Sequence, residues 1–180
     1  MASNPQQHEP RDEKAVPLDE QVRDTGADLP GSNSDRHQIQ LAGTLNAVTV
    51  AAALNEQTVT PDSTFVVPWR RKYADDVLSD SHQHPDELLT VEQILVESSN
   101  IGTIDVQMSM GFGDWDTARQ THWEYLRSFG FGERTALGFP GESPGILKHW
   151  TDLWGSERVT VAYGQGFAAT PIQKVSAINA

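Results

Sequence analysis

The chain has 180 residues, a formal net charge of −12 and no cysteine. The acidic balance disfavours nucleic acid, which requires a basic footprint on its protein, and it equally disfavours anionic membrane surfaces. The lack of cysteine excludes disulfides and thiolate metal sites. No apolar run reaches the ~18–20 residues that a membrane-spanning helix needs.

The N-terminal stretch differs in composition from the rest of the chain. Residues 1–40 contain no aromatic residue and carry eight acidic and four basic side chains. Such a segment buries too little apolar surface to offset its ordering entropy, so we predict a disordered tail over 1–40 and a domain over 41–180. The same end lacks the basic and apolar regions of a secretion signal. On its own, the chain is therefore expected in the cytoplasm.

The first half of the domain predicts one helix and one strand. The apolar run Ala47 to Leu54 predicts a buried helix with Asn46 as its N-cap. Phe65-Val66-Val67 predicts a short strand that Pro68 ends. Residues 70–89 are polar and are predicted to be a loop.

The second half is rich in helix signals. Thr90 to Gln93 has the form of a capping box and predicts a helix toward Glu97, which Ser98-Ser99-Asn100 interrupts because Ser and Asn favour caps and turns. A second helix is predicted from Ile101 to Met110. A third, amphipathic helix carries a stripe that is predicted to face the core and ends at a C′ glycine, Gly130. The stripe consists of Trp115, Ala118, His122, Leu126 and Phe129.

The last signals lie close to the end of the chain. Residues 130–158 are rich in glycine and proline and are predicted to be irregular. Thr170-Pro171-Ile172-Gln173 again combines a Thr N-cap, a proline at the first helical position and Gln three residues after the cap. The resulting helix reaches Ala180 without a stop signal, so the sequence looks truncated. The overall prediction is an α+β, mostly helical fragment with an incomplete sheet.

Taken in this order, the motifs resemble the transpeptidase domain of penicillin-binding proteins of the class B, cell-division type. The resemblance covers residues 47–180 well and residues 1–46 poorly. The matching segments share the family's order along the chain: Val48 to Phe65, Leu89 to Gly102, Phe129-Gly130-Phe131-Gly132, Phe139-Pro140-Gly141-Glu142, and Gly164-Gln165-Gly166 followed by Thr170-Pro171-Ile172-Gln173.

The resemblance implies acyl transfer on peptidoglycan D-Ala-D-Ala stem peptides, or on the β-lactams that imitate them, without a cofactor. Ser98 and Asn100 match the family's Ser-x-Asn motif, in which the serine relays protons and the asparagine holds a substrate amide. Gly164-Gln165-Gly166 matches a structural turn near the active site. A Ser-x-x-Lys motif should supply the nucleophile and its base, and a Lys-Thr-Gly strand should bind the substrate carboxylate and line the oxyanion site.

The sequence departs from the family at these last two motifs. Aligned before Ala47, the nucleophile position holds Gly43 and the lysine position holds Asn46, and neither can perform the family's chemistry. A rival alignment on Pro30-Gly31-Ser32-Asn33 supplies a serine but places Asp35 at the lysine position. No lysine of the chain is followed by Thr-Gly. The sequence therefore predicts a catalytically silent transpeptidase fragment.

Three hypotheses remain at this stage. The chain is either this silent relative or a non-catalytic module that binds a cell-envelope partner, unless the ordered motifs arise by coincidence in an unrelated small helical protein.

A further candidate site is His82-Gln83-His84, which offers two metal ligands. Because no third ligand stands at a typical spacing, we interpret it as a solvated pair and predict no metal.

Overall fold

A computed structural model describes residues 44–135, 137–138 and 140–180. The predictions of a disordered tail over 1–40, of Gly43 at the nucleophile position, of the rival Pro30-Gly31-Ser32-Asn33 alignment and of a signpost at Phe139 lie outside these residues. No helix in the described part is long and apolar enough to cross a membrane.

The described part contains six α-helices and four short strands. In chain order they are α1 Thr44–Asn55, β1 Thr64–Val67, β2 Arg70–Tyr73, β3 Asp76–Ser79, β4 Glu87–Thr90, α2 Val91–Glu97, α3 Asn100–Ser109, α4 Trp115–Ser128, α5 Glu157–Thr160 and α6 Pro171–Ile178. Short 3-10 turns cover Trp150–Asp152 and Val161–Tyr163. The predicted mostly helical α+β architecture is confirmed.

Helix α1 is the centre of the fold and packs against α3, α4 and the 161–163 turn. Its Leu45 and Val48 belong to one apolar cluster with Leu126 and Phe131. Val50, Ala52 and Ala53 belong to a second cluster together with Ile94, Ile101, Ile104 and Tyr163. The exposed positions of α1 are Ala47, Ala51 and Asn55, so its larger apolar side chains all point toward the rest of the domain.

The prediction that Asn46 caps α1 is wrong. The helix begins at Thr44, so Asn46 is its third residue, and its side chain is almost completely buried. A polar residue before an apolar run is a frequent N-cap signal. Asn46 instead lies inside the helix and makes a tertiary hydrogen bond, which is described below.

The prediction of a loop over 70–89 is also wrong. Strands β2 and β3 form an antiparallel hairpin, and β4 pairs with β1 in a second two-stranded sheet. Each strand has only four residues, and in β2 only Tyr73 is buried. A period-2 pattern cannot be recognised in so short and so exposed a segment, whereas β1 carried an apolar run that predicted it correctly.

The helix predictions of the second half are confirmed. Both capping boxes form, with Gln93 and Gln173 returning their side chains to the N-cap backbone. Helix α4 buries Ala118, His122 and Leu126 along its predicted stripe, but Trp115, the first residue of that stripe, is 47 % exposed. Gly130 follows the end of the helix with φ 86°. The described residues between 130 and 156 are irregular apart from short turns and an isolated bridge between Ile146 and Ala168, and α5 begins at Glu157.

A buried polar network joins α1, α3 and α4. The hydroxyl of Thr49 donates to the carbonyl of Ala162 at 2.7 Å, so its oxygen is free to accept from Nε2 of His122 at 2.8 Å. Gln107 donates through Nε2 to Nδ1 of the same ring at 3.1 Å. Because both contacts require a neutral imidazole protonated at Nε2, this network fixes the protonation state of His122 in the core.

Candidate functional site

The Ser98–Asn100 turn connects α2 to α3. Ser98 is the C-cap of α2 in the left-handed region, with φ 54° and ψ 40°, and it is exposed. Ser99 is buried and is the N-cap of α3, because its Oγ accepts the backbone N–H of Gly102 at 2.9 Å. Helices α2 and α3 pack closely at Gly102, because a Cβ on this residue would lie 2.7 Å from Cγ1 of Ile94. The turn is therefore a rigid helix break that presents Ser98 to solvent.

The structure brings Asn46 and Ser98 together although they lie 52 residues apart in sequence. Nδ2 of Asn46, on the third residue of α1, donates to Oγ of Ser98 at 3.1 Å. Oδ1 of Asn46 is buried and has no hydrogen-bond partner among the described residues. An amide at this point can donate to the serine, but it cannot accept a proton from a nucleophile at neutral pH.

The third predicted residue of the motif, Asn100, is oriented by the end of β3. Its Nδ2 donates to the carbonyl oxygen of Ser79 at 3.1 Å, and its side chain is partly exposed. One N–H of the Asn100 amide therefore holds the turn against the end of β3.

Sequence reasoning missed the contribution of Asp80. The carboxylate is buried and accepts from Oγ of Ser99 at 2.8 Å and from the backbone N–H of Ile101 at 2.9 Å. Nothing in the local sequence distinguishes Asp80 from the exposed Asp75 and Asp76. Only the tertiary approach of the 79–87 segment to the turn reveals its role.

The interpretation of His82 and His84 as a solvated pair is wrong for one of the two. His82 is exposed, but the side chain of His84 is only 11 % exposed and its Nε2 lies 3.1 Å from Oδ2 of Asp80. Within the described ranges, no group of three or more His, Cys, Asp or Glu side chains is arranged to hold a metal ion.

The Gly164-Gln165-Gly166 segment forms the predicted turn. Gly164 ends the 161–163 turn with φ 97°, and Gly166 has φ 85°, a region that glycine adopts without strain. The hydrogen bond from Thr49 to the carbonyl of Ala162 ties the preceding residues to α1, the helix that also carries Asn46. The predicted position of this turn beside the Ser98–Asn100 turn stays a prediction.

The sequence and the structure both match proteins of one family. A family model described as "Penicillin binding protein transpeptidase domain" matches residues 36–180. Penicillin-binding protein PbpB of Mycolicibacterium smegmatis is 32 % identical over 132 residues, which are 73 % of this chain and 19 % of that protein. Stage V sporulation protein D of Bacillus subtilis is 30 % identical over 138 residues, covering 76 % and 20 %.

Solved structures agree. Penicillin-binding protein 3 of Mycobacterium tuberculosis in complex with aztreonam has a TM-score of 0.71 at 25 % identity, covering 78 % of this chain and 30 % of that one. The transpeptidase domain of Burkholderia pseudomallei penicillin-binding protein 3 has a TM-score of 0.69, also at 25 % identity, covering 78 % and 40 %. The chain spans about a fifth of the length of the curated relatives it matches. On the extent of the family match, the chain belongs to the penicillin-binding protein transpeptidase domain family.

Proposed function

We propose that residues 41–180 are a partial peptidoglycan D,D-transpeptidase domain that retains the Ser-x-Asn side of the site and lacks the nucleophile side. It would bind a D-Ala-D-Ala stem peptide or a β-lactam without forming an acyl-enzyme. The observation that carries the proposal is the hydrogen bond from Asn46 to Ser98, since it supports the alignment in which Asn46 stands at the lysine position and Gly43 at the nucleophile position.

The chemistry follows from these residue types. Acyl transfer requires an oxygen nucleophile and a base that takes its proton. Gly43 has no side-chain oxygen, and the amide of Asn46 is not a base. Removing the nucleophile of such a catalytic unit costs on the order of 10⁶ in rate. The exposed hydroxyl of Ser98 and the amide of Asn100 remain as hydrogen-bonding groups for a ligand.

Two similar structures support the choice of ligand. Penicillin-binding protein 3 of M. tuberculosis has been solved in complex with aztreonam and in complex with ampicillin. We therefore take a penicillin as the probe for this chain, and a D-Ala-D-Ala peptide as the probe for the substrate.

Incubation of the purified chain with ampicillin is expected to leave its intact mass unchanged. The reason is the missing nucleophile, and the measurement is electrospray mass spectrometry after incubation for minutes to hours. M. tuberculosis penicillin-binding protein 3, incubated in parallel, controls for the activity of the drug. A single adduct of the drug's mass, mapped to Ser32 or Ser98, would contradict the proposal.

Non-covalent binding tests the retained side of the site. In saturation-transfer NMR titrations with ampicillin, the chain is expected to bind with a Kd that Ser98→Ala raises about fivefold, because one hydrogen bond to the ligand is lost. Ser128→Ala is the matched control, since this exposed hydroxyl bonds only the carbonyl of Tyr125 in its own helix. Equal Kd values for both variants would remove Ser98 from the proposed site.

A further inference from the structure

We propose that Asp80 and His84 are positioning residues that hold the Ser98–Asn100 turn, and that their hold weakens when His84 loses its proton. This inference rests on the proposed function, because it assigns a role to residues behind the same turn. We call the two side chains the Asp80–His84 clamp.

Asp80 fixes the turn through both of its carboxylate oxygens. Oδ1 accepts the N–H of Ile101 at 2.9 Å, and Oδ2 accepts the hydroxyl of Ser99 at 2.8 Å. The adjacent carbonyl of Ser79 accepts from Asn100 at 3.1 Å. Three donors of the turn thus end on two consecutive residues of a different segment, so the position of Asp80 sets the position of the turn.

His84 holds Asp80 in turn, and its geometry requires a cation. Nε2 lies 3.1 Å from Oδ2 of Asp80, and Nδ1 lies 2.7 Å from the carbonyl oxygen of Pro85. Both partners are acceptors only, so both ring nitrogens must carry hydrogen for both bonds to form. A neutral imidazole can make one of these bonds and must lose the other.

The charges around the ring favour the same state. Oε2 of Glu87, in β4, lies 3.7 Å from Nδ1, and Glu97 of α2 lines the same small cavity. The ring of His82, 6.2 Å away between centroids, is the other titratable group there. Desolvation lowers the pKa of His84. The hydrogen bonds to Pro85 and Asp80 and the charges of Glu87 and Asp80 raise it by more than desolvation lowers it, so the pKa is raised from its ordinary value of 6.5.

The sign of the pH effect follows from that direction. A histidine whose folded pKa exceeds its unfolded value contributes fully below the unfolded pKa and loses its contribution as pH rises through the folded pKa. The clamp should therefore be closed at pH 6 and loosened on the alkaline side of the His84 pKa.

Amide hydrogen exchange followed by NMR tests the clamp on the full chain without a ligand. The protection factor of the Ile101 amide is expected to fall about tenfold or more as pH rises through the pKa of His84, which is read from its own ring resonances. In His84→Gln this step should disappear. His82→Gln is the matched control and should keep it. Asp80→Asn should lower both the Ile101 protection and the pKa of His84.

The amide of Leu126 in α4 reports whether the whole domain loosens instead. A step at Ile101 that leaves Leu126 unchanged supports the inference. A flat Ile101 profile in the wild type, or the same step in His84→Gln, would overturn it. Because no ligand is present, a failure of ampicillin binding would contradict the proposed function alone and would not alter this readout.

Discussion

Lowering the pH from 7 to 4 is expected to reduce the free energy of unfolding by about 3 kcal/mol through His122 alone. Burial lowers the pKa of this histidine from 6.5 to about 4. Each unit of difference between the folded and unfolded pKa is worth 1.36 kcal/mol. The unfolded chain binds the proton below pH 6.5 and the folded chain does so only near pH 4, so stability is full above pH 6.5 and is lost between these values.

Desolvation of the buried ring is the reason why the folded protein resists protonation of His122. Nδ1 of His122 accepts from the amide of Gln107, and a proton on Nδ1 would face that N–H. Desolvation of the charge opposes protonation because the ring is 1 % exposed.

Urea denaturation at pH 7, 5.5 and 4 measures the effect. His122→Gln is expected to lower stability at pH 7 but to remove this part of the pH dependence. Subtracting the free energy of unfolding of His122→Gln from that of the wild type at each pH removes the contributions of the carboxylates and of His84, which both proteins share. The raised pKa of His84 changes stability with pH in the opposite direction. His149→Gln, at an exposed ring that bonds Thr151, is the control. Identical pH slopes for wild type and His122→Gln would show that His122 does not titrate as its burial requires.

The sequence predicted the helices because their signals are local. A capping box joins residues three apart, and a core-facing stripe lies within one helix, as in Thr90 to Gln93 and in α4. The Ser98–Asn100 break was predicted in the same way, from the preference of Ser and Asn for caps. Such features need no knowledge of what packs against them.

The parts of the site that sequence reasoning missed depend on tertiary contacts. Asp80 is one of several acidic residues in a polar stretch, and its burial is created only when the β3–β4 connection folds onto the start of α3. His84 is partly buried for the same reason, while His82, two residues earlier, is exposed. The family alignment placed Asn46 at the lysine position without predicting its contact with Ser98, and its local pattern led to the wrong assignment as an N-cap.

Gln173→Ala is expected to lower the free energy of unfolding by about 2–3 kcal/mol, far more than loss of a helix cap alone. The side chain is fully buried, and its Nε2 donates to the carbonyls of Glu133 at 2.6 Å and Pro144 at 2.9 Å. Its Oε1 accepts the N–H of Thr170 at 2.8 Å. Truncation leaves these groups without their partner, at about 1–3 kcal/mol for each one that water cannot reach.

Gln93→Ala is the matched control because Gln93 occupies the same capping-box position in α2. Its Oε1 accepts only the N–H of Thr90, at 2.9 Å, and the residue is exposed. The expected loss is about 0.5–1 kcal/mol. Chemical denaturation gives both values, and tryptic cleavage after the exposed Arg134 should accelerate only in Gln173→Ala, since Gln173 ties this irregular segment to α6. Equal losses in the two variants would mean that Gln173 acts as a cap and nothing more.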